Sequence, residues 1–285
     1  EDEIFEKLKI ESGFKSTLKS VTDNLNFLNQ DYSYNYNEDI YAIYSTLGYQ
    51  IFDRLGIKFG LRYEGVETKA SVLGDTTLAT NVIHAVINSK IQEGDFDNPY
   101  NKFYPSLFFN YQLTERNQIQ FGYSKRVNRP GLRSLNPFPN DLLDTTRIRN
   151  GNPFVKPEFS DVAEFNFSSN SRKINFNTGI SYRQTIDAIA WWDRDEFNYQ
   201  NRSYEILTAG NAEKSENLSG SIVINYRPMP LISMMITSWW WSSKTTGGQY
   251  ENDMTGNSLG MFNRGQLTLN IPKYARIEFS VGGRA

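Results

Sequence analysis

The feature that most constrains this chain is a long run of alternating side chains between Lys173 and Trp192. A period of two predicts a β-strand with one apolar face. The run is far longer than the roughly five or six residues usual in globular strands, whereas a tilted membrane strand needs about ten merely to cross the hydrocarbon. It therefore favours a membrane strand. Its mostly apolar even positions are Ile174, Phe176, Thr178, Ile180, Tyr182, Gln184, Ile186, Ala188, Ala190 and Trp192.

The same alternation recurs near residues 8–18, 57–64, 118–124, 163–168 and 275–282, and the polar face carries charges of both signs. We count about eleven strands joined as consecutive hairpins, which predicts an all-β, antiparallel meander. A membrane β-barrel segment is favoured over a large soluble β-sandwich, whose strands also alternate but are usually shorter.

The predicted connections alternate in length, as they do in outer-membrane barrels with short periplasmic turns and longer extracellular loops. The short ones are expected near Phe52–Leu55, Thr114–Asn117, Ser169–Arg172, Pro228–Pro230 and Pro272–Lys273. The longer ones are expected near Thr22–Asn35, Ser71–Tyr100, Asn128–Lys156, Asp193–Asn201 and Lys244–Asn257.

Composition excludes several kinds of chemistry. The sequence has no Cys, which excludes disulfides and thiolate sites, and its one His, His84, lies in a stretch, Asn81–Val86, expected to be a loop or short strand. A lone His without positioned partners favours a structural role, so we predict no catalytic residue, metal site or cofactor and expect no enzyme. Thirty basic against 32 acidic residues give no electrostatic case for nucleic acid. Mean hydropathy of −0.56 is typical of soluble proteins but does not exclude a membrane barrel, whose lumenal half is wet.

Tryptophans cluster at two strand ends, Trp191–Trp192 and Trp239–Trp241. In a barrel these positions match the interfacial aromatic girdle. Because side chains alternate, at least one of the three consecutive residues must point into the lumen. Trp191, Trp239 and Trp241 are therefore also candidate ligand contacts, able to stack on a sugar or another flat ligand.

The segment from Tyr104 to Glu158 carries a recognisable signature. It consists of Tyr104-Pro105-Ser106-Leu107, then Gly122-Tyr123-Ser124-Lys125-Arg126-Val127-Asn128-Arg129-Pro130, then Leu135-Asn136-Pro137-Phe138, and finally Gly151-Asn152-Pro153-Phe154-Val155-Lys156-Pro157-Glu158. This signature closely resembles the barrel portion of TonB-dependent outer-membrane receptors, in particular the Bacteroidetes-type outer-membrane β-barrel family. The stretches 37–42 and 60–64 fit the same family.

The signature also has a physical interpretation. Pro130 ends a strand because proline cannot donate to the ladder, Asn136-Pro137 and Asn152-Pro153 initiate turns, and Gly151 permits a positive φ. These residues predict a shaped extracellular loop folded onto the barrel wall. The alternative is direct ligand contact by Arg126, Arg129 or Asn136.

The resemblance implies an outer-membrane receptor that takes up a nutrient such as an iron chelate, a glycan or a peptide. Such receptors have about 22 strands around an N-terminal plug, so residues 1–285 are expected to form about half of the wall. Implied partners are outer-membrane lipid, the plug and remaining strands, the TonB complex and a surface lipoprotein. The competing functions are a non-transporting scaffold or porin-like barrel and a soluble carbohydrate-binding sandwich.

Overall fold

The computed structural model describes residues 8–27, 29–74, 82–139, 147–247, 255–271 and 273–285, with the backbone alone at residues 90, 92–93, 147 and 191–197. The strands are β1 (Leu8–Phe27), β2 (Gln30–Ile51), β3 (Leu55–Gly74), β4 (Phe96–Asp97), β5 (Tyr100–Thr114), β6 (Asn117–Asn128), β7 (Arg147–Asn150), β8 (Glu158–Asn170), β9 (Ile174–Tyr199), β10 (Arg202–Met229), β11 (Ile232–Thr246), β12 (Gly256–Ile271) and β13 (Ala275–Arg284). The helices are α1 (Val82–Glu93) and α2 (Leu132–Leu135). In this part of the chain no helix is long and apolar enough to cross a membrane.

All described strands belong to one sheet, and its long strands follow each other in the order β1-β2-β3-β5-β6-β8-β9-β10-β11-β12-β13. Neighbours along this path are antiparallel. This confirms the predicted eleven-strand meander, and the soluble two-sheet sandwich is wrong. Over the described residues, β1 pairs with β2 alone and β13 with β12 alone, so the sheet has two edges.

The two faces of the sheet differ sharply in chemistry. One cross-strand row on the first face consists of Phe121, Phe165, Ile180, Gly220, Trp240 and Met261. The row one residue away, on the second face, consists of Gln120, Asn166, Gly179, Ser221, Trp239 and Phe262. Phe121, Phe165 and Ile180 are 41 to 49% exposed, which is tolerable only against an apolar surrounding.

The sheet curves around its polar face. A buried cluster joins Tyr34 of β2 and Val72 of β3 to Ala209 of β10, strands that lie far apart in the sheet order. One cluster can touch all three only on the inner side of a curved sheet. The polar face is therefore concave and the apolar face convex.

The short connections lie where they were predicted and define the turn end of the sheet. Turns occupy residues 52–54, 115–116, 171–173, 230–231 and 273–274, and Pro272 lies outside the described residues. At the opposite end, the loop end, two predicted loops are wrong. Thr22–Asn35 and Asp193–Asn201 are tight hairpins, β1–β2 and β9–β10.

Both corrected hairpins have the same physical basis. On the outward face of the first hairpin Asn24, Asn26 and Asp31 are exposed, which suits strands that continue beyond the apolar layer into water, whereas Leu25 and Tyr34 on its inward face pack in a buried cluster. Asn29, Gln200 and Asn201 have φ of 65°, 49° and 61°. Asn adopts this left-handed conformation more readily than most side chains, and two such residues in succession make a tight hairpin turn.

Two further connections at the loop end, β3–β5 and β6–β8, fold inward where the structure describes them, and we call residues 82–99, 129–139 and 147–157 the cap. Residues 248–254 of the predicted connection Lys244–Asn257 lie outside the described residues. Within it, α1 packs against β3, β4 pairs with β3, and β7 pairs in parallel with Glu205–Thr208 of β10. β7 lies beyond the end of β11, whose pairing with β10 stops at Lys214. This arrangement confirms the predicted loop folded onto the wall.

The cap has its own hydrophobic core. Tyr32 and Tyr34 of β2 pack with α1 and with apolar side chains of the two inward segments, and the cap members of this cluster are Val82, Ile83, Val86, Ile87, Phe96, Leu135, Phe138, Ile148 and Val155. Each fully buried aliphatic side chain of this kind contributes about 1.5–3 kcal/mol. The core therefore holds the cap against the concave face.

The expected loop or short strand around His84 is wrong, because the described part, from Val82 onward, is helical. Val82, Ile83, Val86, Ile87 and the partly buried Ile91 share one face at helical spacing. His84 is fully buried; its Nε2 lies 2.9 Å from the carbonyl of Phe27, and its ring meets that of Phe27 edge-on. The histidine packs in the core of the cap.

Candidate functional site

A buried carboxylate on the concave face anchors the start of the cap segment 129–139. Glu64 of β3 accepts hydrogen bonds from the Nε of Arg62, two residues along the same face, and from an Nη of Arg129. Only 4% of the Glu64 side chain is exposed. Arg129 follows the last residue of β6 and precedes Pro130, so it is the first side chain of the inward segment. Since a buried carboxylate needs such partners, this ion pair holds the cap on β3.

Around this ion pair lie polar atoms without partners. We call Glu64, Tyr100, Tyr104 and Arg129 the arginine–tyrosine centre. Over the described residues, its two hydroxyl groups and the Arg129 Nε are buried without a hydrogen-bond partner. Buried polar atoms are nearly always satisfied, so the centre has the capacity to hold ordered water or the polar groups of a ligand.

The other two signature residues lie apart from this centre. Arg126, exposed on β6, donates from Nε to the Ser124 hydroxyl at 3.0 Å. The Asn136 amide donates to Asp23 of β1, and its Oδ1 accepts the Phe138 backbone N–H at 2.9 Å. Asn136 therefore shapes the cap, as the turn interpretation predicts, and also contacts β1.

Glycine is required at position 151 because the backbone of Asn136 passes close to it, and not because of an unusual backbone angle. The expected positive φ is wrong, since the described glycines with positive φ are Gly94 and Gly247. A Cβ at Gly151 would overlap the backbone of Asn136 and lie 2.9 Å from the Arg133 carbonyl oxygen. Its backbone N–H donates to the Asn136 carbonyl at 2.8 Å. Only glycine lets the two halves of the signature meet.

Sequence reasoning missed two residues that position the cap. For Glu64 a signal exists in the sequence, because it is the acidic residue two positions after Arg62 on the polar face of the family-like stretch 60–64. Asn211 of β10 had no such indication. Its buried amide accepts the Lys156 N–H at 2.8 Å and donates to the carbonyls of Lys156 and Asp187 at 2.9 and 2.7 Å. It joins the end of the cap to β9 and β10.

The three consecutive tryptophans are divided between the faces. Trp240 lies on the convex face over Gly220, whereas Trp239 and Trp241 lie on the concave face. Trp241 covers Gly260, and the Arg284 guanidinium carbon is 5.3 Å from its ring centre. A concavity of about 340 Å³ adjoins both rings and is lined by serines, Glu164 and Asn166. The side chain of Trp191 lies outside the described residues.

No metal centre is found in the described ranges, where no group of three or more His, Asp or Glu side chains could hold an ion. The described side chains of the concave face offer ion pairing, hydrogen bonding and aromatic stacking.

Comparison with known proteins gives the family. The model of the outer membrane protein beta-barrel family matches residues 1–285. The chain belongs to this family. It therefore lies in the outer membrane, with its convex face toward lipid, its concave face toward the lumen, its turn end periplasmic and its loop end extracellular. A search of curated proteins found no match.

Solved structures share the barrel fold. The ferric yersiniabactin uptake receptor FyuA from Yersinia pestis superposes with a TM-score of 0.55 at 14% identity, over 98% of this chain and 43% of that one. The FrpB iron transporter from Neisseria meningitidis gives 0.57 at 15% identity, over 96% and 42%. The Serratia marcescens hemophore receptor HasR, solved with its hemophore HasA and heme, gives 0.53 at 11%, over 97% and 59%.

This outer-membrane barrel chain thus spans about half the length of the receptors that it matches. The resemblance to receptors of the TonB-dependent class, read from the signature, is confirmed at the level of family and fold. The Bacteroidetes assignment stays a prediction.

The lipid-facing surface of the barrel shows where the membrane ends on the extracellular side. Tyr123 donates to Asp161 at 2.6 Å, and Tyr182 donates to Glu216 at 2.8 Å. Each tyrosine ring stands beside the apolar row, and each carboxylate lies one row nearer the loop end. Rings with an apolar body and a polar tip are typical of the aromatic girdle.

Proposed function

We propose that this chain forms part of the wall of an outer-membrane receptor that imports a nutrient, drawing energy from an inner-membrane TonB complex. It acts as a transporter and not as an enzyme. Its partners are lipid, a plug domain within the lumen, the strands that complete the barrel and a surface lipoprotein. The cargo is an iron chelate, a glycan or a peptide.

The observation that carries this proposal is the cap. Its core spans the concave side from β2 and β3 to β10, and the Glu64–Arg129 pair and Asn211 fasten it to the wall. A passive pore gains nothing from a lumen covered by a packed hydrophobic core at its extracellular end. A receptor that must hold its cargo before an energised release step needs such a cover.

Uptake by cells tests this function. Deleting the gene is expected to abolish growth on one limiting nutrient of the three cargo classes, and the intact gene restores it. Uptake of that nutrient should stop when a protonophore collapses the inner-membrane gradient. The porin-like alternative predicts the opposite: solute passage into vesicles that carry the purified full-length protein, with no dependence on the gradient.

A further inference from the structure

Cations gather on the lumenal face of the C-terminal strands. They come from the β8–β9 turn and from the concave sides of β10, β12 and β13. We call them the cationic strip: Arg172, Lys173, Arg227, Arg264, Arg276 and Arg284. The convex face of the same strands is apolar, with Ile236, Leu267 and Phe279 in its cross-strand rows. In these rows the charge therefore lies on the lumenal side, whereas nearer the loop end the convex face of β10 carries the Lys214–Glu216 pair.

The strip surrounds space large enough for a solute. Arg172, Lys173, Arg227 and Arg276 line a concavity of about 600 Å³ near the turn end, and these four also line an adjoining one of about 300 Å³. The described lining residues of both include no carboxylate. Volumes of about 300–1,000 Å³ are usual for small-molecule sites.

In the opposite half of the wall, some of the lumenal cations have a close carboxylate partner. On β1, Lys9 pairs with Glu11 at 2.8 Å, and on β3 Arg62 shares Glu64 with Arg129. In the strip, Arg276 approaches Glu278 only to 3.9 Å, and both side chains are at least 45% exposed. Like charges held close together raise the free energy of the empty wall, and an anion lowers it.

We propose that the cationic strip binds a small anionic solute bearing carboxylate or phosphate groups, and that the cargo of this barrel belongs to that class. The statement about the cargo rests on the proposed transport function, whereas the statement that the strip binds an anion does not. Rings of Arg and Lys select anions in pores by the same electrostatics. Trp241, with Arg284 over its ring, lies on the same face farther toward the loop end. The strip thus follows the axis along which a solute passes the wall.

Titration calorimetry on the full-length protein in non-ionic detergent tests the site. The probes are citrate and inorganic pyrophosphate, with sucrose as the neutral control and spermidine as the cationic one. We expect at least one anion to bind, with an affinity that falls as salt rises, and no binding of sucrose or spermidine. The two anions distinguish carboxylate from phosphate recognition.

Variants locate the binding. R227Q/R276Q is expected to weaken the anion about tenfold, since two screened charge contacts are lost. The matched control K15Q/K58Q removes two lumenal cations from β1 and β3 and should leave affinity unchanged. Retained heat-modifiable gel migration verifies that each variant is folded, and the salt dependence of the unaltered protein gives a measurement that needs no variant.

Three results would overturn the proposal: equal binding of sucrose, equal loss in both double variants, or no binding of either anion. The last would assign the strip to an acidic polypeptide segment instead. The transport proposal fails separately, because gradient-dependent uptake is measured on cells and anion binding on the purified protein.

Discussion

At the scale of the residue, the Glu64–Arg129 pair gives the sharpest test. In Arg129→Gln the buried carboxylate loses one of its two described ion-pair partners and keeps Arg62, so we expect the free energy of unfolding to fall by about 2 kcal/mol. A urea titration of the full-length protein in lipid vesicles, followed by tryptophan fluorescence, measures this change. Arg126→Gln is the matched control on the neighbouring exposed arginine and should stay within about 0.5 kcal/mol. Equal losses in both variants would show that the pair does not hold the cap.

Residue identity alone predicted some of these contacts and missed others. The two Asn-Pro pairs predict turns, and the side chains of Asn136 and Asn152 each accept a backbone N–H two residues ahead, from Phe138 and Phe154. The sequence predicts a positive φ at Gly151, but glycine is required there because the backbone of Asn136, fifteen positions earlier in the chain, leaves no room for a Cβ, and no local rule supplies that contact. Asn211 was invisible for the same reason, because its partners lie on the cap and on β9.

At the scale of the element, the face assignment of β9 makes a prediction. Ile180→Arg places a charge on the lipid side and is expected to destabilise the folded protein by about 2–4 kcal/mol near the bilayer midplane. Ser181→Arg, one residue away, faces the wet lumen and should cost little. The fraction of protein that reaches the heat-modifiable folded form in vesicles measures both. A larger defect in Ser181→Arg would reverse the two faces.

Helix α1 makes the second prediction at this scale. Ile87 is fully buried in the cap core, so Ile87→Ala should destabilise the cap locally by about 2–5 kcal/mol. Hydrogen–deuterium exchange is expected to rise in residues 82–99 while β9 and β10 keep their protection. Ser89→Ala, which removes only a hydroxyl bonded to the Val86 carbonyl at 2.7 Å, is the control. Unchanged exchange in Ile87→Ala would contradict the packing of the helix.

Period-two alternation predicted the eleven long strands, because each lies between polar and apolar surroundings. It failed at α1, where Val82, Ile83, Val86 and Ile87 are β-branched and favour a strand by composition. Their spacing is that of one face of a helix, but the segment is too short for this spacing to outweigh the composition. The apolar face of α1 is buried only against the concave surface of the completed sheet.

At the scale of the whole molecule, the orientation across the membrane is open to a direct test. These 285 residues contain no cysteine, so an introduced thiol meets no competing one within them. Asn257→Cys at the loop end should react with a membrane-impermeant maleimide in intact cells. Asp53→Cys at the turn end should react only after the outer membrane is permeabilised. Labelling in the reverse order would invert the barrel.

The meander and its membrane setting were predictable because hairpins and alternating faces are local. The signature predicted a loop folded onto the wall but not the hydrophobic core of the cap, since that core draws side chains from β2, β3, β10 and two connections at once. The Arg129 position was recognised from its motif, but its partner Glu64 lies in another strand. Because such contacts join distant parts of the chain, the sequence predicted the wall but not the complete site.

The pairing of β7 with β10 sets an order of assembly. β7 precedes β10 in the chain by an entire hairpin, β8–β9, and it docks only beyond the end of β11. Contacts between distant segments form late, because the intervening chain must first be brought together. The extracellular cover is therefore completed only after the β9–β10 hairpin has been built. A defect confined to the part of that hairpin beyond β11 would leave the wall assembled but the cap without its pairing to β10.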